Sequence, residues 1–586
     1  MMKDLLMIVL IAVIVVPQTS SIKKCPIDCT CDIDNIGRYS AICERGNMKQ
    51  IPIKDFDEEI NVIIIRKPKH TLTISPVFHL LKKLEILRII ESNVPAIGLR
   101  SFWGVPSLRV LDLSRNNISA LSEDNFKGQQ NLLELNLSKN KVDVMPSGTF
   151  RYLTDLHTLN LADNSLADLE AKVFMMLTKL KILDLSRNPL EDLQPDVFKD
   201  IVDLKVLKCR GCRLQNINPQ LYNLLNQLTD LDLGNNQFKY LDKDEFKDLK
   251  YLKRLHLDNN QLSVVVDFLF QRQRNLLYLD LSRNRLAKIS GRAFNNLFNL
   301  TFLDISYNKL SALELDYMCH LPKLEALNIS GNVQLNLLDI RPVFQNLTEL
   351  RSLSIADVSN MPLGIFVPLG NLLMLNISGT HLNNETIQIL NPLAKLKDLD
   401  ISRNQLTGFE EDFALKLLNI DNVNFEQNPI VCDICHVGAI LNQIHLMRWR
   451  TSPECFLPEA LRGKAINRLT RDKLEFCYET FVDEGHDAAS TSGHYSILDE
   501  GRFSFIAFMA LAIFVLVLLI IIVTITLCIR QRSNYDANTR AEEQNGKEAV
   551  RNNEKNIEES LITNNEISYK IALQDRVNVF LKDSPS

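Results

Sequence analysis

One phrase recurs through the middle of the chain, and nothing else in the sequence restricts its folding so strongly. LRVLDLSRNNI begins at residue 108, LLELNLSKNKV at 132, LHTLNLADNSL at 156 and LKILDLSRNPL at 180. LTDLDLGNNQF follows at 228, LKRLHLDNNQL at 252, LLYLDLSRNRL at 276 and LTFLDISYNKL at 300, with LEALNISGN at 324 and LKDLDISRNQL at 396. The period is 24 residues. In the unit at 108, Leu111 and Leu113 alternate with Val110, Asp112 and Ser114, which predicts a short strand with leucines inward and the others outward. Asn116 then turns inward, where its amide can satisfy the backbone of the bend, and stacked turns of this kind make a ladder of Asn side chains. Ten residues further on stands Phe126, and the same offset gives Phe102, Phe150, Phe174, Phe198, Phe246, Phe270 and Phe294. A single unit cannot bury its apolar face, so stability must come from stacking neighbours.

The pattern L-x-x-L-x-L-x-x-N-x-L over roughly residues 60–430 resembles the leucine-rich repeat family. The resemblance implies an α/β-type solenoid: a leucine-rich repeat horseshoe with a parallel sheet on its concave side. Ladder positions fall at 116, 140, 164, 188, 212, 236, 260, 284, 308, 332, 404 and 428, with Val358 and Thr380 standing where Asn is missing. LEILRIIES at 84 and INVIII at 60 are degenerate early units, so about fifteen or sixteen repeats are expected over 60–427.

A solenoid exposes its core at both ends unless capped. Residues 22–59 hold Cys25, Cys29, Cys31 and Cys43; residues 428–477 hold Cys432, Cys435, Cys455 and Cys477. Clusters of this kind at the ends of a secreted domain read as disulfides rather than metal ligands. The family resemblance implies first-with-third and second-with-fourth pairing in each cap, although C-x-x-C at 432–435 replaces the usual C-x-C opening. A further C-x-x-C, Cys209 and Cys212 between Lys208, Arg210 and Arg213, has the spacing of a redox or zinc pair. It lies in repeat register, however. Cys209 takes the inward strand position and Cys212 the ladder position, so two core-packed thiols are expected, with a strained local disulfide as the alternative.

The chain of 586 residues opens with one lysine and an apolar run from Leu5 to Val16, the layout of a signal peptide over 1–21. FSFIAFMALAIFVLVLLIIIVTITLCI at 503–529 carries no charge and is followed by Arg530 and Arg532. This predicts one transmembrane helix with its C-terminal side in the cytoplasm: a single-pass type I plasma-membrane protein with the repeats outside. Residues 478–502 read as a stalk, and 530–586 as a largely disordered tail. The tail is too short for a kinase or Toll-type signalling domain. Tyr535 and Tyr569 are phosphorylation candidates, and Cys528 is a palmitoylation candidate.

N-glycosylation sequons stand at Asn117, Asn136, Asn299, Asn328, Asn346, Asn376 and Asn384. Asn136, Asn328 and Asn376 share the outward register of Asp112, so glycans there would leave a free window over the strands from 156 to 307. Within it lie Arg254, His256 and Asp258, then Tyr278, Asp280 and Arg283, then Phe302, Asp304 and Tyr307. Arginine and aromatic side chains among acids are the composition of a protein-binding hot spot.

No G-x-S-x-G, H-E-x-x-H or Gly-rich phosphate loop occurs, so neither an enzyme, a cofactor nor a metal is expected. A net charge of −5 gives no reason to invoke nucleic acid. The expected function is a cell-surface recognition or adhesion receptor for an extracellular or cell-surface protein ligand, acting alone, as a homodimer or with a co-receptor. It resembles the neural and developmental leucine-rich transmembrane adhesion proteins. An innate-immune pattern-recognition co-receptor or decoy, and an accessory subunit of another membrane protein, are the alternatives.

Overall fold

The computed structural model describes residues 24–474 and 477, apart from 339, 360 and 442. The apolar runs at both ends of the chain, the stalk and the tail with Cys528 lie outside the described residues. Among the described residues no helix is long and apolar enough to cross a membrane.

The described residues build an 18-stranded sheet in which sequence neighbours are spatial neighbours. An antiparallel hairpin, Cys29–Ile33 with Tyr39–Glu44, starts it, and Tyr39–Glu44 pairs in parallel with Val62–Arg66. From there every pairing is parallel and in register: Leu111 lies opposite Leu135, Leu135 opposite Leu159, and so on to Leu399 opposite Val423. The irregular unit does not break the sheet, because Ser352–Ser354 and Met374–Asn376 absorb the changed spacing in their loops.

Three buried features hold the stack. The inward leucines, among them Leu111, Leu113, Leu135 and Leu137, are buried almost completely. The second feature is the ladder. Asn140 Nδ2 donates to Leu113 O at 3.0 Å and to Leu137 O at 2.9 Å, while its Oδ1 accepts from Ile118 N at 3.1 Å. One side chain thereby ties together backbone groups of two repeats: Ile118 N would otherwise be buried unpaired, at a cost of about 1–3 kcal/mol, while Leu113 O and Leu137 O are each shared with a neighbouring ladder Asn. The third is the aromatic spine on the other side of the core. Its rings stack at centroid distances such as 5.8 Å for Phe78–Phe102 and 6.1 Å for Phe246–Phe270. The spine includes Tyr222, which replaces Phe against Phe246, and Tyr317 edge-on to Phe294.

Disulfides close the ends. Cys25 is bonded to Cys31 and Cys29 to Cys43; Cys432 is bonded to Cys455 and Cys435 to Cys477. At the second end the helix Ile434–Leu441 and a cluster of Phe409, Phe425 and Trp449 cover the last repeat.

The expectation of two unbonded thiols in the middle is corrected. Cys209 and Cys212 are both fully buried, as their register requires, but they are bonded to each other. The reason lies in the turn. In every regular repeat the ladder side chain folds back over the residue three positions earlier, as Asn116 does on Leu113 O at 2.9 Å. When both positions are cysteine the same geometry brings their Cα atoms to 5.5 Å, a spacing suited to a bridge. Gly211, at φ +69°, occupies the left-handed turn position between them.

Candidate functional site

The outward side chains of each short strand form rows across the sheet, because register puts like positions side by side. One row runs Asp230, Arg254, Tyr278, Phe302; the next runs Asp232, His256, Asp280, Asp304. Among these side chains, Tyr278 and Phe302 stack with centroids 4.3 Å apart and planes 3° apart. His256 lies against Tyr278 at 4.7 Å. The structure therefore brings together the strand residues named from sequence, and Asp258 sits beside them just past its strand. Arg283 and Tyr307 are not on strands. They occupy the left-handed turn preceding the ladder position, at φ 53° and 51°, where the Arg283 guanidinium packs over the Tyr307 ring at 4.7 Å.

The sequence reading missed the group that organises this face. Arg210 projects from the disulfide-bonded turn and donates to Asp232 at 3.0 Å, then to both oxygens of Asp258 at 2.8 and 2.7 Å. It crosses a whole repeat to do so. Gly234 makes that passage possible, since a Cβ there would lie 2.5 Å from the guanidinium carbon. The paired carboxylates hold Arg210 firmly charged, its pKa raised chiefly by the bond to Asp258. Arg254 likewise pairs with Asp230. The signal was present in sequence: the position two before the ladder residue is Ser114, Ser138, Ala162 and Ser186 in earlier repeats, then Arg210, Gly234 and Asp258.

Asp280 and Asp304 are different. Each half-buried carboxylate accepts from the backbone N–H and hydroxyl of the serine two residues on, Ser282 and Ser306. Asp304 also accepts from Asn328 Nδ2 at 2.8 Å. Neither forms an ion pair among the described residues. Burial raises the Asp280 pKa, and the Asp258 and Asp304 charges add to this against the Ser282 hydrogen bonds. Burial first, then Asp280, Asp304 and Asp258, also pushes the Tyr278 hydroxyl up.

His256, Asp258 and Asp280 place one donor atom each within 4.8 Å of one another, a spacing compatible with a metal ion. The donor set fits an ion poorly. Both Asp258 oxygens already face the Arg210 guanidinium, which sets a fixed positive charge where the third ligand would bind. Beside the clamp, Ile182, Val206, Lys208, Asp230, Asp232 and His256 are among the residues lining a hollow of about 400 Å³. The sequon residues Asn136, Asn328 and Asn376 lie on the same strand face.

Comparison with known proteins agrees with this architecture. Residues 106–333 match the leucine rich repeat family model in five overlapping windows. Among curated proteins no match is found. A leucine-rich repeat protein of Leptospira interrogans superposes with a TM-score of 0.51 at 24% identity, covering 66% of this chain and 90% of its own. Drosophila Toll, in its glycosylated complex with Spatzle, superposes with a TM-score of 0.52 at 18% identity, covering 76% of this chain and 75% of that one. Residues 106–333 thus match leucine-rich repeats, within a solenoid of stacked parallel strands that has disulfides at both ends.

Proposed function

We propose that the protein is a cell-surface recognition or adhesion receptor that binds a protein ligand on the strand face between Arg254 and Asp304. One observation carries the reading: stacked Tyr278 and Phe302, with His256 tilted against Tyr278, form a half-buried aromatic strip beside two carboxylates that have no ion-pair partner among the described residues. Aromatic side chains already ordered by stacking lose little freedom on binding, and they contribute most where water is excluded. Placement at the plasma membrane as a single-pass type I protein rests on the two apolar runs of the sequence and agrees with end caps built from disulfides, which persist in oxidising compartments.

Cells displaying the full chain, screened against secreted and surface proteins, should capture a ligand. Changing Tyr278→Ala together with Phe302→Ala should abolish capture without lowering surface display. Capture unaffected by the double change would move the site elsewhere. Mixing displaying with non-displaying cells separates homophilic from heterophilic adhesion. Activity that depends only on the 503–529 segment would favour an accessory-subunit role instead.

A further inference from the structure

The Asn ladder and the aromatic spine are interrupted at the same places. We infer that the solenoid consists of stiff blocks joined at two yielding seams, one between the repeats of Asn188 and Cys212 and one between those of Asn332 and Val358. The block between the seams carries the whole strand face from Arg254 to Asp304 and moves as one body, whether or not that face binds a ligand.

A regular ladder residue ties its repeat to the one before through both ends of its amide. Asn188 donates to Leu161 O at 3.0 Å and accepts from Leu166 N at 3.1 Å. The same two bonds recur at Asn236, Asn260, Asn284, Asn308 and Asn332. Cys212 cannot make them, because a disulfide sulfur has no hydrogen to donate, and Leu190 N turns to Asn188 O instead. Val358 has no polar side-chain atom at all. The spine stops there too. Ring contacts run from Phe78 to Phe198 and again from Tyr222 to Tyr317. Among the described residues none joins Phe198 to Tyr222 or Phe344 to Phe366. At the first seam, Asn188, Pro189, Gly211 and Arg213 are among the residues lining a hollow of about 350 Å³.

Thr380 also lacks the amide, but its repeat is held from outside. Arg403 passes over Gly379, where a Cβ would collide with Asp357 Oδ1, and donates to Asp357 at 2.8 Å and to Ser378 Oγ at 3.1 Å. Arg210 reaches Asp258 over Gly234 in the same manner. Each arginine binds together the repeats on the C-terminal side of a seam, and neither crosses it. Apart from backbone bonds, each seam keeps a serine hydroxyl contact: Ser186 Oγ accepts from Arg210 N at 3.3 Å, and Ser330 Oγ from Ala356 N at 3.0 Å. The remaining ties are exposed groups such as Arg213 with Glu191 and Arg341 with Leu363 O, which contribute little. The stability of a solenoid is a sum over repeat interfaces, so its least-tied interfaces open first.

The test is amide hydrogen exchange of the full chain in detergent micelles, read by mass spectrometry. Leu185 and Arg187 donate across the first seam to Lys208 O and Arg210 O, and Ile329 and Gly331 across the second to Ser354 O and Ala356 O. These four amides should exchange about tenfold or more faster than those of Leu257 and Leu281, which make the same bonds inside the block to Asp280 O and Asp304 O. Equal protection would overturn the inference. Cys209→Leu with Cys212→Asn restores the regular wording and should slow Leu185 and Arg187 to the rate of Leu257, even though a disulfide is lost. Unchanged or faster exchange there, with native protection elsewhere, would overturn the assignment of that seam to the missing amide. Arg403→Ala disturbs no core residue. It should speed Ile355 and Asp357, bonded to Asn376 O and Ser378 O, about tenfold and leave Leu257 as it was. No change at Ile355 and Asp357 would show that the arginine does not hold its repeats together and would overturn the block arrangement at the second seam.

Discussion

The strands from 110 to 184 and those from 206 to 304 share one backbone plan and differ almost entirely in what they carry outward. In the first group the position two before the ladder is serine or alanine, and the ladder residue is always Asn. In the second, the ladder is interrupted by a disulfide, an arginine crosses a whole repeat, and Tyr278 and Phe302 stack with His256 tilted against them. The sheet register is the same in both. The repeat is thus a constraint on inward residues only, and specialised chemistry shows where the outward positions depart from the common wording.

That contrast can be tested by substitution. The largest expected effect separates inside from outside. Phe150→Ala removes a fully buried spine ring between Phe126 and Phe174 and should cost about 3–5 kcal/mol. Phe302→Ala, on the outer face, should cost under about 1 kcal/mol while removing ligand binding. Denaturant midpoints measure both, and equal losses would break the distinction.

A second pair of changes sharpens the ladder comparison. Asn164→Ala leaves Val142 N without its partner and Leu137 O with only Asn140, and should cost about 1–3 kcal/mol. Replacing Cys209 and Cys212 together by alanine removes a bridge closing a very small loop, worth about 2 kcal/mol by chain entropy. If the double cysteine change costs nothing, the bridge does not substitute for the missing Asn.

pH supplies a third comparison, between the two faces of the stack. Burial raises the Glu245 carboxyl, beside buried Tyr222, to about 7 from an ordinary 4.5. An acid whose folded pKa is raised binds its proton more tightly when folded. Its contribution is therefore gained as pH falls through about 7 and is complete below the unfolded value of 4.5. Melting temperature should rise from pH 8 to pH 5 more steeply in the native chain than in Glu245→Gln; parallel curves would refute the assignment. On the strand face the expected effect is smallest. Asp280→Asn removes a charge whose pKa is raised, so it should leave stability unchanged or slightly higher at pH 7, even as it weakens binding.

Much of this was legible without coordinates, for a physical reason. Leu111, Asn116 and Phe126 face inward, and packing against identical neighbours forces them to recur at the period of the fold. The strip of Tyr278 and Phe302 could be located because strand alternation alone assigns those residues outward. What lay out of reach were relations between repeats. Arg210 and Asp258 are 48 positions apart, and no local rule pairs them. The Cys209–Cys212 bridge needed the path of one turn, and Arg283 and Tyr307 were read as strand-face residues because the strand ends sooner than its phrase suggests.

The reach of Arg210 over Gly234 has a consequence for how such a chain can change over generations. Most repeats are interchangeable bricks, and unequal crossing-over can add or delete one without harm to its neighbours. The stretch from Arg210 to Asp258 cannot be edited that way, because losing its middle repeat would leave donor and acceptor out of step.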